Sequence, residues 1–265
     1  MISEKTPKIS ILVVSLNPGE KLKKTVESIL DQTYGDYEIL IKDGGSSDGS
    51  LDKIPKDPRI RVVCEADQGI YDGMNRALEL AAGKWVYFLN CGDYFDHDSV
   101  LEEVMAKEGD AQILYGNVFE RKSGSIVMSN PHLDTFACYR NVPCHQACFY
   151  ERALIARHPF CTEYRVRADY EQFLWCFLQE KAKVCHIPIV ITSYEGGGFS
   201  ETAKNRKRSE EEHRKIASLY MTKGEILKFR LILWLTLAPL RTCLAKSPVT
   251  SGIYNRIKTG IYSHH

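Results

Sequence analysis

At 265 residues the chain is long enough for one large domain, or one domain with an appendage, and a core of that size needs no disulfide support. Its 35 basic and 34 acidic residues leave a net charge of +1, which excludes wholesale binding of nucleic acid. Nine scattered cysteines and the polar opening MISEKTPKIS, which does not read as a secretory leader, point to free thiols in a reducing cytoplasm.

In chain order, Ile9 to Val14 is an apolar run that exits into Ser15, Leu16, Asn17, Pro18 and Gly19. Leu22, Val26, Ile29 and Leu30 then mark one face of a helix. Tyr37 to Lys42 reads as a second strand and exits into Asp43, Gly44, Gly45, Ser46, Ser47, Asp48 and Gly49. Two strand–loop–helix units in succession argue for a parallel sheet with right-handed crossovers. The second exit loop lacks the G-x-G-x-x-G spacing of a dinucleotide site and the G-K-[ST] of a phosphate loop. It reads either as a solvated turn or as a ligand loop.

The stretch from Glu65 to Asp93 repeats the pattern. A loop carries Asp67, Gly69 and Asp72; Met74, Ala77, Leu78 and Ala81 form an apolar helix face; Gly83 is read as its stop. Trp85 to Leu89 reads as a strand covered on both faces, ending at Asn90, Cys91, Gly92 and Asp93. A carboxylate just past the C-terminal end of a buried parallel strand lies where open α/β sheets bind ligands, and it suits a metal ion. Further on, Cys138, Cys144, Cys148 and Cys161 with His145 and His158 fit no usual zinc spacing. Phe173, Leu174 and Phe177 give a helix whose N-terminal edge holds Asp169, where it could simply cap. Val184 to Ile191 is an apolar strand before the glycine-rich Tyr194–Ser200. Ala203 to Lys215 is highly charged and reads as a solvated helix. Leu231 to Leu240 is about half of the roughly 20 apolar residues that a membrane span needs. With Lys228, Arg230, Arg241 and Lys246 flanking it, the segment fits an interfacial helix on an anionic membrane, or a helix packed on the domain or on another subunit.

Three blocks then coincide: the first strand with its Ser15/Asn17 exit and the helix ending in Asp31, Gln32 and Thr33; Asp43-Gly-Gly-Ser-Ser-Asp-Gly-Ser; and Asp67-Gln-Gly-Ile-Tyr-Asp-Gly-Met-Asn-Arg followed by Phe88-Leu-Asn-Cys-Gly-Asp93. Together they resemble the inverting family 2 glycosyltransferases of the GT-A fold, in particular the bacterial enzymes of O-antigen, capsule and exopolysaccharide synthesis. The resemblance runs from about Lys8 to Ser200. It implies an α/β fold of GT-A (Rossmann-like) type: a mixed, mostly parallel sheet flanked by helices, with a C-terminal helical appendage. The transferase domain is expected at 1–200; residues 201–265, which the resemblance does not cover, are read as a helical region that associates with a membrane or packs on the domain. Within the domain the nucleotide-sugar half covers about 1–110 and the acceptor half about 111–200.

The resemblance further implies a nucleoside-diphosphate sugar donor held by Ser15, Asn17, Asp43, Gly44, Asp67, Gly69, Asp72, Asn75, Arg76 and Asn90. Arg76 is a fixed positive charge suited to phosphate, and Asp72 is open to a capping role as well. Asp93 falls on the last acidic position of the family's Asp-x-Asp motif and would hold Mg2+ or Mn2+ largely alone, because Asn90, Cys91 and Gly92 stand where acids are common. Asn141 to Tyr150 resembles the segment under the acceptor, which assigns His145 and Gln146 to acceptor binding, with Glu171 beside them. Asp169 matches the catalytic base of a Glu-Asp pair in which Ala168 replaces the Glu. Expected partners are the donor, a glycan or lipid-linked glycan acceptor and an anionic membrane at the inner face of the cytoplasmic membrane, with a homo-oligomer left open. Two rivals remain at this level. A sugar-nucleotide nucleotidyltransferase would need a basic, glycine-rich loop after the first strand, which Ser15-Leu-Asn-Pro-Gly does not supply. A catalytically degenerate scaffold would draw on the depleted metal motif and Ala168, against the retention of Asp93 and Asp169.

Overall fold

The structure, a computed structural model, describes residues 6–196 and 202–236. In chain order it runs β1 (Ile9–Ser15), α1 (Glu20–Leu30), β2 (Tyr37–Asp43), β3 (Ile60–Cys64), α2 (Ile70–Leu80), β4 (Trp85–Phe88), β5 (Tyr94–Phe95), α3 (Val100–Met105), β6 (Ile113–Glu120) and β7 (Ser125–Val127). There follow α4 (Thr135–Arg140), β8 (Cys148–Glu151), α5 (Arg152–Ile155), α6 (Ala168–Leu174), β9 (Val184–Tyr194), α7 (Ala203–Tyr220) and α8 (Lys223–Leu235). The chain divides into two compact units, Met1–Ile216 and Ala217–His265.

Among the described residues all the strands belong to the first unit and form one sheet in the order β3-β2-β1-β4-β8-β6-β9-β5, with β7 beside β6. The β3-β2-β1-β4 side is parallel throughout, as the two successive crossovers require. Beyond it β8 runs antiparallel to both β4 and β6, and β6 and β9 are parallel again. Trp85, Val86, Tyr87 and Phe88 of β4 are completely buried, so the apolar run is covered on both faces. Leu22, Val26 and Ile29 of α1, together with Thr25, are buried in the same core.

Gly83 has a role other than the helix stop read from the sequence. Helix α2 closes at an extended Ala81, and a Cβ on Gly83 would lie 2.5 Å from the backbone nitrogen of Ser10. Glycine is needed there so that the turn into β4 can lie against β1. In the second unit, among its described residues, the end of α7 is followed by α8, which opens with a reciprocal Thr222/Glu225 capping box. No helix of the described residues is long and apolar enough to cross a membrane.

Candidate active site

The register of the parallel strands puts Ser15, Asp43 and Cys64 side by side at the C-terminal ends of β1, β2 and β3. Asp43 is the hub of this row and is fully buried. Its Oδ2 accepts from Ser15 Oγ at 2.8 Å and Ser46 Oγ at 2.6 Å. Its Oδ1 accepts from the Gly45 and Ser46 backbone N–H groups at 2.9 and 2.6 Å. Burial pushes the Asp43 carboxyl pKa up, but these bonds from Ser46, Ser15 and Gly45 outweigh it and hold the pKa below its ordinary value. Asn17, with a left-handed φ of 47°, accepts from Ser47 N–H at 2.9 Å, so the β1 and β2 exit loops are fastened together. Gly44 donates its N–H to Ser15 O at 2.8 Å.

Under these loops lies Lys42, fully buried in β2. Its Nζ donates to the carbonyls of Asp43 (3.0 Å) and Glu65 and stands 3.5 Å from Asp67 Oδ2. The lysine was not singled out from the sequence, because it occupies one position in a strand and only the parallel register brings Glu65 and Asp67 to it. Asp67 Oδ1 accepts from Gly69 N–H at 3.1 Å. Gly69, at φ 126° and ψ 175°, supplies a conformation at the start of α2 that other residues avoid. In the first turn of α2, Asp72 accepts from Gln68 N–H at 2.8 Å and pairs with Arg76, whose other arm reaches Glu65 at 2.9 Å. Asn75 spends both ends of its amide on the Phe160 backbone, at 2.8 Å each, and so clasps α2 to the segment between α5 and α6.

Because β8 runs antiparallel to β4, with Tyr87 opposite Phe149, the 3₁₀ turn His145–Ala147 that enters β8 lies beside the exit of β4. Two adjacent side chains of that turn hold the two aspartates. Gln146 Nε2 donates to Asp93 Oδ2 at 3.2 Å, and His145 Nδ1 stands 3.2 Å from Asp169 Oδ2. The other imidazole nitrogen, Nε2, faces Asn90 Nδ2 at 3.0 Å. In this orientation Nε2 accepts from the amide, and Nδ1–H donates to the carboxylate. Asp169 Oδ1 accepts from Tyr170 N–H at 2.8 Å and lies 3.3 Å from the Tyr71 hydroxyl. Arg167 takes the N-cap position of α6, with Asp169 one residue inside the helix.

The two carboxylates are tuned in opposite directions. Asp93 is 7% exposed; burial raises its pKa, and Gln146, His145, Arg121 and the Glu195 N–H offset this only in part. Burial also pushes Asp169 up, but the hydrogen bond from His145, with Tyr170 N–H and Arg167, brings it below its ordinary value, so it stays ionised. Glu171, two residues on, points elsewhere: it is buried and bonded to His158 at 2.9 Å. Asp93 is also fixed through its backbone. Thr25 Oγ1 donates to Asp93 O at 3.0 Å and accepts from Gly92 N–H, and Arg121 Nη2 reaches Gly92 O at 2.6 Å. Thr25, Tyr71 and Arg121 also escaped the sequence reading. A threonine in α1 spaced with Leu22 and Val26 carried the available signal for Thr25.

The residues present fit a divalent cation of the oxygen-binding kind. Asn90 Oδ1 is buried without a hydrogen-bond partner and belongs to the same strand exit as Asp93. No group of three or more His, Cys, Asp or Glu able to hold a metal exists among the described residues, so such a cation would draw most of its ligands from a bound molecule. The eight described cysteines are free thiols. The glycine-rich Tyr194–Ser200 loop falls largely outside the described residues.

Fold and site together define a glycosyltransferase of the GT-A type. The sequence profile of Glycosyl transferase family 2 matches residues 10–171, and the chain belongs to that family. A "PGL/p-HBAD biosynthesis glycosyltransferase" of Mycobacterium bovis is 35% identical over 211 residues, 76% of this chain and 82% of that protein. Among solved structures, the mannosyltransferase PcManGT from Pyrobaculum calidifontis, in complex with GDP-Man and Mn2+, has a TM-score of 0.65 at 15% identity over 98% of this chain and 81% of its own. S. aureus TarS has a TM-score of 0.61 at 17% identity and is matched over 71% of this chain but only 36% of TarS. A shorter TarS, 1-349, was solved with UDP-GlcNAc. At these identities the two structures bear on the fold alone.

Proposed function

We propose that this glycosyltransferase moves a sugar, with inversion, from a nucleoside diphosphate to a hydroxyl of a lipid-linked glycan. The observation that carries the reading is the His145–Gln146 turn, which holds Asp169 and Asp93 through neighbouring side chains. Asp169, ionised and held by His145, takes the proton of the acceptor hydroxyl as that oxygen attacks the anomeric carbon. The bond from the anomeric carbon to the phosphate oxygen breaks, and its electron pair leaves with the nucleoside diphosphate. One inverting displacement needs no carboxylate nucleophile opposite the base. Asp93, with the open Asn90 oxygen, is the protein's contribution to a bound Mg2+ or Mn2+, which would offset the charge developing on the diphosphate. Ser15, Asn17, Asp43, Gly44, Asp67 and Gly69 shape the nucleotide side. Asp72, Asn75 and Arg76 order the start of α2 beside it. In our reading His145 and Gln146 act first on the aspartates and only then line the acceptor site, while Glu171 supports the helix from its far side.

The names of the relatives support the substrate classes. The mycobacterial relative is named for "PGL/p-HBAD biosynthesis", a chondroitin synthase of Pasteurella multocida is 26% identical over 218 residues (78% of this chain but 22% of that protein), and the structural neighbours were solved with UDP-GlcNAc and GDP-Man. The test is a thermal-shift screen of UDP- and GDP-sugars with and without Mn2+, on wild type and Asp93→Asn. A donor that stabilises wild type only with Mn2+, and fails with Asp93→Asn, is the expected result. Because Asp93 holds its proton more tightly than a free carboxyl, the Mn2+ effect should weaken as pH falls. Equal stabilisation of both proteins would remove Asp93 from the metal site.

Membrane association is part of the same proposal. Leu227, Leu231, Trp234 and Leu235 of α8 are 54–70% exposed, on the helix that carries Lys228 and Arg230. Anionic vesicles should sediment the wild-type protein and lose the Leu231→Ser/Trp234→Ser double variant. Undiminished sedimentation would reject α8 as the anchor.

A further inference from the structure

Asp169 enters the site from a short helix preceded by an irregular segment, and neither fixes a carboxylate by itself. Residues 165–167 each present a backbone N–H just before α6, and Arg167, its N-cap, carries one of the N–H groups that a helix start leaves without an intrahelical partner. All three point at one side chain. Arg165 N–H donates to Glu212 Oε1 at 3.0 Å, and Val166 and Arg167 N–H donate to Glu212 Oε2 at 3.0 and 2.9 Å. Glu212 is 9% exposed and sits on α7, 43 residues downstream of Asp169 (212 minus 169). The same helix holds the neighbouring segments in two further places, through one side chain and one backbone carbonyl. Ser209 Oγ accepts from Arg167 Nε at 2.8 Å, and His213 Nε2 lies 2.7 Å from Tyr139 O. Tyr139 is in α4, whose end leads directly into the segment that carries His145. Arg167 Nη1 also reaches Asn141 Oδ1 at 3.4 Å.

The carbonyl side of the same peptide segment connects to the carboxylate. The Tyr71 hydroxyl lies 3.2 Å from Val166 O and 3.3 Å from Asp169 Oδ1. Glu212, the backbone of Val166, Tyr71 and Asp169 therefore lie in one row of contacts from α7 to the carboxylate, with the single Tyr71 proton shared between Val166 O and Asp169 Oδ1.

We propose that Glu212 is a positioning residue for Asp169: from α7 it fixes the backbone of residues 165–167 and thereby sets where the base carboxylate stands. The inference rests on the reading of Asp169 as the base. Three N–H donors on one buried carboxylate make a strong and directional anchor. A proton transfer concerted with attack tolerates little displacement, since a misplacement of about 1 Å can cost roughly 100-fold in rate. Glu212 touches neither the strand-end row nor Asp93, so its loss should reach turnover without reaching the donor.

The test compares Glu212→Ala, Glu212→Gln and Asp169→Asn in the full chain. Nucleotide release is measured with Mn2+ and the UDP- or GDP-sugar that wild type consumes fastest, alongside hydrogen exchange of the intact protein. Glu212→Ala should lower kcat by about tenfold or more with donor KM within about twofold. Exchange at the 165–167 amides should rise while α2 keeps its protection. Glu212→Gln retains one acceptor oxygen and should fall between Ala and wild type; if the Ala variant does not fold, the Gln variant carries the same comparison. A mere structural fastener would lower Tm and leave kcat at low temperature unchanged, and that result overturns the proposal. So does unchanged exchange at 165–167, or a rise in donor KM equal to the loss of kcat. If Glu212→Ala turns over normally while Asp169→Asn is inactive, positioning fails and the base survives. Full turnover in Asp169→Asn removes the base and the Glu212 proposal with it.

Discussion

On the β1–β2–β3 side of the sheet, polar groups are tied to one another over short loops and a shared parallel register. Asp43 accepts from residues at its own strand end and at the ends of both neighbouring strands, and Lys42 fastens the next loop from below. On the β4–β8 side, the Asp93–Gln146 and His145–Asp169 contacts join segments that are distant in sequence, through an antiparallel strand and a short helix anchored by α7. The first region is built within the continuous segment from β1 to the start of α2. The second exists only after the whole first unit has closed. Damage to the first should therefore appear as lost stability and donor affinity, and damage to the Asp169 end of the second as lost turnover in a stable protein.

Asp169→Asn is the sharpest way to break that contrast. It should lower kcat by about 10²–10⁴-fold, the usual weight of a general base, with Tm and donor KM little changed. The control Glu171→Gln should leave kcat within a few-fold, because Glu171 faces His158. A loss of turnover confined to Glu171→Gln would move the base to that residue. Next in size is Lys42→Met, which strips two carbonyls and Asp67 of their buried partner. Breaking such a set costs on the order of 3–5 kcal/mol, read by chemical denaturation, and donor affinity should fall with it. A Lys42→Met protein of unaltered stability would mean that the strand ends are not held by this lysine. The smallest effect is expected from Asp72→Ala. Losing its bonds to Gln68 and Arg76 should cost about 1 kcal/mol of stability, as for a lost cap. If donor affinity drops more than about tenfold as well, Asp72 also touches the nucleotide and the boundary between the two roles shifts.

Legibility follows the same division. Strands β1, β2 and β4 and helices α1 and α2 carry periodic apolar patterns and appear close to where those patterns place them. Strands β3, β5 and β7 and the short helices α3, α4 and α5 did not stand out. They are brief, half-exposed or set by pairing with distant partners, so no local pattern marks them. Gly83 shows how a correct residue can carry a wrong reason: glycine after a helix suggests a stop, while the space it needs comes from β1. Asn75, Arg76 and Glu171 were singled out for their chemistry. Their hydrogen bonds in the folded protein go to Phe160, to Asp72 and Glu65, and to His158.

The amino-acid order alone determined the parallel crossover units, the carboxylates waiting at strand ends and the family to which their spacing belongs. Periodicity and turn chemistry act between near neighbours, and so they are written in the chain. Only the tertiary structure decided which groups meet: that Lys42 lies beneath the exit loops of β2 and β3, that one turn holds both aspartates, and that Glu212 gathers three amides before Asp169. Such contacts depend on strand direction and on the packing of helices far apart in sequence. Hydrogen bonds satisfied across that distance leave no period or spacing in the chain from which they could be read.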